Sequence, residues 1–144
     1  MHEIDLKNRT WAIPPERMKM RREHKIPLSR QAFDIVMENW SEIRGVELLF
    51  PSLQSNRKLL SENAFNTVLR RLGYSGEEVT AHGFRVTAST ILNSREHNPD
   101  VIEAVLAHQD ANAIRRTYNR TTYWDQRVDL MQVWADLCDG FRRQ

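Results

Sequence analysis

The apolar residues of this chain change period at Pro27-Leu28-Ser29, and that change constrains the fold more than any other feature. Before it, Ile4 and Leu6 alternate with Glu3 and Asp5, the two-residue repeat of a half-buried strand. Lys7-Asn8-Arg9 turns the chain, and Thr10-Trp11-Ala12-Ile13 pairs back. Pro14-Pro15 stops that strand, because proline has no N–H to give a ladder. The stretch from Arg17 to Leu28 adds another strand or hairpin, with Ile26 and Leu28 on one face.

After the change the spacing is helical. Ser29 is the expected N-cap of a helix carrying Phe33, Val36, Met37, Trp40 and Ile43, ended by Gly45. Val46 to Phe50 is short and apolar, and Pro51 breaks it. Ser61 is the expected cap of a second helix with Phe65, Val68, Leu69 and Leu72, and Gly73 lies just past its end. Phe84, Ala88, Ile91 and Leu92 define a third. Asn98-Pro99 reads as a helix start, with Val101, Ile102, Val105 and Leu106 on the inner face and His108 at the end. Residues 111–120 are expected to form a short helix, and Val128, Met131, Trp134 and Leu137 the stripe of a last one. The fold class is α+β and mostly α-helical. A small N-terminal antiparallel hairpin or three-stranded sheet is followed by a helical bundle, in one domain over residues 1–144 with no repeat or linker.

Bulk composition narrows the function classes. With 40% hydrophobic and 28% charged residues the chain reads as soluble and globular. No apolar run approaches the roughly 20 residues needed to span a membrane, so no membrane partner is expected. Cys138 is the only cysteine, which excludes an intrachain disulfide and fits a reducing compartment. His2, His24, His82, His97 and His108 show no ligand-spaced pair, so no metal site is expected. The net charge of +2 is too small to argue for nucleic acid, but its distribution is not even. Arg17, Lys19, Arg21, Arg22 and Lys25 form one cluster, and Arg115, Arg116 and Arg120 flank Tyr118 in another. Such clusters track a phosphate backbone or form a solvated basic surface.

The chemistry-bearing residues are concentrated in 80–118. His82 and Arg85 lie three apart at a helix start and share a face. Arginine grips phosphate in a bidentate way that lysine cannot reproduce. Equally, His82 can cap the helix and Arg85 pair with Glu62 or Glu78. His108 can act on a ligand or simply favour a helix C-terminus. Tyr118 between arginines is a candidate nucleophile, since nearby positive charge favours the phenolate, or a half-buried core tyrosine. Lys19 alternates with Met18 and Met20, so it can point away from them and protonate an alkoxide leaving group, or be one more surface lysine.

In their order and spacing these residues resemble the catalytic domain of the tyrosine recombinases, the phage integrase family, and most closely its prophage and genomic-island branch. The likeness rests on Glu3-Ile4-Asp5-Leu6, Glu16-Arg17-Met18-Lys19-Met20, His24-Lys25-Ile26-Pro27-Leu28-Ser29 and Leu69-Arg70-Arg71-Leu72-Gly73-Tyr74. It continues through Thr80-Ala81-His82-Gly83-Phe84-Arg85, Leu106-Ala107-His108 and Tyr118-Asn119-Arg120, and so covers nearly the whole chain.

The resemblance implies site-specific DNA recombination, in prophage integration and excision, through a 3′-phosphotyrosyl intermediate. It matches Tyr118 to the nucleophile, Lys19 to the hairpin lysine that serves the 5′-oxygen leaving group, His82 and Arg85 to proton handling and phosphate clamping, and His108 to the second histidine. Arg17, Arg21, Arg22, Arg115 and Arg116 are the candidate DNA-binding residues. No cofactor is implied. The implied partners are double-stranded attachment sites, further integrase subunits in a tetramer on DNA, an excisionase and DNA-bending host factors, in a bacterial cytoplasm. The family's further active-site arginine lies on a helix before the first hairpin strand, and Arg9 does not match it. The expectation is therefore the C-terminal part of an integrase catalytic domain, inefficient in recombination alone and prone to self-association through uncovered apolar surface. The alternative is a non-catalytic DNA-binding remnant of an integrase.

Overall fold

The computed structural model of the chain describes residues 3–18, 21–42, 48–52, 55–107 and 123–143, with the backbone alone at 41, 42 and 56. The expected N-terminal sheet is present. Strands β1 (Ile4–Asp5), β2 (Thr10–Ile13) and β3 (His24–Pro27) form an antiparallel sheet in the order β1-β2-β3. Ile4 lies opposite Trp11, and Thr10 to Ile13 pair with Pro27 to His24. The β1–β2 turn is held by Asp5, whose carboxylate accepts from the Asn8 backbone N–H at 3.0 Å and from Asn8 Nδ2 at 2.6 Å. Helix α1 (Arg30–Glu42) begins where the period changes, and Ser29 Oγ accepts the Ala32 N–H at 3.2 Å. Its expected end at Gly45 falls outside the described residues.

A second hairpin, β4 (Pro51–Ser52) with β5 (Ser55–Leu59), stands where Pro51 was expected only to break the chain. Proline is tolerated at the first residue of a strand, and β5 is too polar to show a two-residue alternation. Helix α2 (Ala64–Arg71) starts from Asn63 and not from Ser61, whose carbonyl accepts the Ala64 N–H in the turn just before it. It ends as expected at Gly73, which adopts φ +94°, a conformation costly for any residue with a Cβ. Helix α3 (Ala81–Ser94) is followed by α4 (Pro99–Val105), where Asn98 Oδ1 accepts the Asp100 N–H at 3.0 Å and Pro99 takes the first turn. Helix α5 (Trp124–Arg142) closes the described chain. The short helix expected over 111–120 lies outside the described residues. The observed fold is α+β, a small antiparallel sheet followed by helices.

Contacts divide the chain into two units, one within Ile35–Ile91, the other joining His2–Asp34 to Leu92–Gln144. The core of the second is Leu92, Val101, Ile102 and Leu130, with Val105, Leu106, Tyr123 and Trp134 packed against it. Ile102 is wholly buried. Helix α5 presents Arg127, Leu130 and Trp134 inward, and Val128, expected in the stripe, is 41% exposed. Met131, Trp134 and Leu137 of the expected stripe are half-buried, and Arg127, outside it, is buried. Its guanidinium lies 5.5 Å from the Trp124 ring centroid and donates to the Lys25 carbonyl. Burial pulls the Arg127 pKa below the ordinary arginine value. With the 3.3 Å contact of His24 Nε2 to the Val105 carbonyl, this pins β3 to α4 and α5.

In the unit of residues 35–91, Val36 and Ala88 are buried. In helix α2 only Leu69 of the expected stripe is half-buried, together with Asn66 and Arg70, while Phe65, Val68 and Leu72 are 68%, 52% and 68% exposed.

Candidate active site

The first turn of α3 is the best-defined candidate site. His82 and Arg85 lie three residues apart within Ala81–Ser94, which places both side chains on one face. Both are exposed. His82 is not the capping group. Thr80 Oγ1 accepts the Gly83 N–H at 3.0 Å, and Asn66 Oδ1, from α2, accepts the Ala81 N–H at 2.8 Å. A helix start leaves N–H groups without intrahelical partners, and these two oxygens take two of them. Glu78 accepts the Ser75 backbone N–H at 2.7 Å, and this bond holds its pKa below the usual glutamate value. An imidazole and a guanidinium on one face, at the positive end of a helix, can bind a phosphate and exchange a proton with it.

The other sequence-derived candidates are distributed as follows. Lys19, His108, Arg115, Arg116 and Tyr118 lie outside the described residues, so the structure brings together only His82 and Arg85 of the five proposed catalytic groups. Helix α4 leads towards His108 through Ala107, which takes φ +50° in the left-handed region. Of the proposed DNA-binding residues, Arg21 and Arg22 are exposed in the bend ahead of β3. Arg17 is held by Glu3 through Nη1 contacts of 2.7 and 2.8 Å, although its side chain stays 57% exposed. Glu3 also accepts from Trp11 Nε1 at 3.1 Å. Lys25 pairs with Glu23 at 3.3 Å. Among the described residues no group of three metal-ligating side chains occurs, and no helix is long and apolar enough to cross a membrane.

Comparison with known proteins decides the family. A profile of the phage integrase family matches residues 1–124. The chain belongs to the phage integrase family. Over 135 residues it is 45% identical to Prophage integrase IntA of Escherichia coli K12, covering 94% of this chain and 32% of that protein. It is 39% identical over 158 residues to the Integrase of Enterobacteria phage P4, covering 99% and 36%, and 37% identical over 137 residues to the Integrase of Shigella phage Sf6, covering 94% and 35%. This integrase-family chain thus spans about a third of the length of the curated relatives it matches. No solved structure matches it at a significant level.

Sequence reasoning missed Asn66 and Arg70. The apolar stripe of their helix gives no sign of them. The available signal was their spacing of four, which puts two hydrogen-bonding side chains on one face.

Proposed function

We propose that this chain acts in site-specific DNA recombination, as the C-terminal part of an integrase catalytic domain. The observation that carries the reading is the pairing of His82 and Arg85 on one face at the start of α3, within a chain of the integrase family. Arg85 clamps the non-bridging oxygens of a DNA phosphodiester and stabilises the added negative charge of the transition state. Tyr118 Oη attacks phosphorus, the bond to the 5′-oxygen breaks, and a 3′-phosphotyrosyl link forms. Lys19 gives the departing 5′-oxygen its proton, while His82 and His108 manage the phenol proton and hydrogen-bond the phosphate. The ester keeps the energy of the broken bond, so religation needs no nucleotide.

The substrates are double-stranded attachment sites in a bacterial cytoplasm, bound with further integrase subunits and with an excisionase or DNA-bending proteins. Arg21, Arg22, Arg115 and Arg116, with Arg17 if Glu3 releases it, track the backbone. A further arginine, which no residue of this chain matches, completes the phosphate clamp. Robust strand exchange by the 144-residue chain alone overturns that last point.

Tyr118→Phe tests the central claim. In the full-length protein it is expected to abolish covalent attachment to attachment-site DNA and to leave binding nearly unchanged. A phosphotyrosyl adduct that survives the change overturns the assignment. Binding without any adduct, in both proteins, instead identifies a non-catalytic DNA-binding remnant.

A further inference from the structure

We propose that Asn66 and Arg70 of α2 are positioning residues that set the orientation of His82 and Arg85; this rests on the phosphate-binding reading of α3 above. The two lie four apart on the half-buried face of α2. Asn66 Oδ1 accepts the Ala81 N–H at 2.8 Å, and Arg70 Nη2 donates to the Val79 carbonyl. Arg70 Nε also reaches the Asn66 carbonyl at 3.5 Å, joining the two halves of the bracket. Between the gripped positions, Thr80 Oγ1 takes the Gly83 N–H. Residues 79, 81 and 83 are therefore each tied down, and His82 and Arg85 project from the turn they define.

Two features argue against a purely stabilising role. Facing Asn66 and Arg70 inward turns Phe65, Val68 and Leu72 out to solvent, the opposite of what apolar burial favours. Arg70 Nη1 is also buried with no hydrogen-bond partner among the described residues. A half-buried guanidinium that leaves one donor unsatisfied is a poorer stabiliser than an apolar side chain of similar size at the same place. What the arrangement supplies is a fixed first turn. Its position matters because a displacement of about 1 Å in a clamping group can cost about a hundredfold in rate.

The test titrates the 144-residue chain with short duplex DNA of arbitrary sequence at low salt. It follows the Arg85 Nε–H resonance, with melting temperature measured in parallel. Asn66→Ala is expected to weaken the Arg85 response about tenfold, the loss of one well-placed charged contact. Asn66→Asp keeps the acceptor for Ala81 and is expected to restore most of it. Arg70→Met is expected to behave as Asn66→Ala does. Leu69→Ala removes apolar packing from the same helix and leaves the bracket, so it is expected to lower stability without altering the response. An Arg85 signal that DNA does not move in the unaltered chain overturns the phosphate-binding reading, and this proposal with it. An equal response in Asn66→Ala, no recovery in Asn66→Asp, or the same loss in Leu69→Ala overturns the positioning role alone.

Discussion

Glu3 shows how one side chain near the start of the sheet serves two partners. Its carboxylate accepts from the Trp11 indole at 3.1 Å and grips Arg17 at 2.7 Å. The Trp11 hydrogen bond, then Arg17, holds its pKa below the ordinary glutamate value, against the opposing effect of burial. A carboxyl group with a depressed folded-state pKa adds stability that is fully present above its unfolded value, about 4.3. That stability is lost as pH falls through the folded value. The Trp11 indole N–H resonance is therefore expected to shift on acidification over this range in the native chain, and to stay nearly flat in Glu3→Gln. A titrating Trp11 signal in Glu3→Gln would show that another group governs it. At this scale the His82 and Arg85 pairing was legible, because residues three apart on a helix share a face whatever surrounds them. The engagement of Arg17 by Glu3 was not, since it joins residues 14 apart in sequence.

The helix starts divide by how local their capping is. Ser29 and Asn98 cap α1 and α4 through their own next turn, and both were legible from residue type and the following proline or apolar spacing. Asn98→Ala is expected to destabilise the chain by about 1 kcal/mol, and Asn98→Asp to be close to neutral. Chemical denaturation of the three proteins checks this, and an unaffected Asn98→Ala would remove the cap from the account of α4. Helix α3 differs, because Asn66 reaches it from another helix 15 positions earlier. The β4–β5 hairpin was missed because a polar strand opening on proline carries no periodic signal. In α5 Met131, Trp134 and Leu137 are half-buried as the spacing predicts, but the buried Arg127 was not legible, because the apolar pattern assigns a charge to water.

For the whole molecule, the notable property is how much apolar surface stays in contact with solvent. Leu59, Phe65, Val68, Leu72, Phe84 and Val86 are all more than half exposed, and all lie in the unit of residues 35–91. Surface of this kind favours association. The elution volume of the 144-residue chain in gel filtration is expected to decrease with rising concentration, and Phe65→Lys with Leu72→Lys to suppress the change. Elution as a monomer at every concentration would overturn this. The sequence by itself determined the α+β class, the three-stranded sheet, the helix starts at Ser29 and Asn98, and the His82–Arg85 face. All of these are written in residue spacing and near-neighbour hydrogen bonding. Only the tertiary structure decided which way α2 and α5 face and what holds the first turn of α3. Those outcomes depend on partners distant in the chain: the Ala81 N–H for Asn66, the Val79 carbonyl for Arg70, and the Lys25 carbonyl for Arg127. A buried polar side chain goes where an unpaired backbone group awaits it, and no periodicity of the helix that carries it records that place.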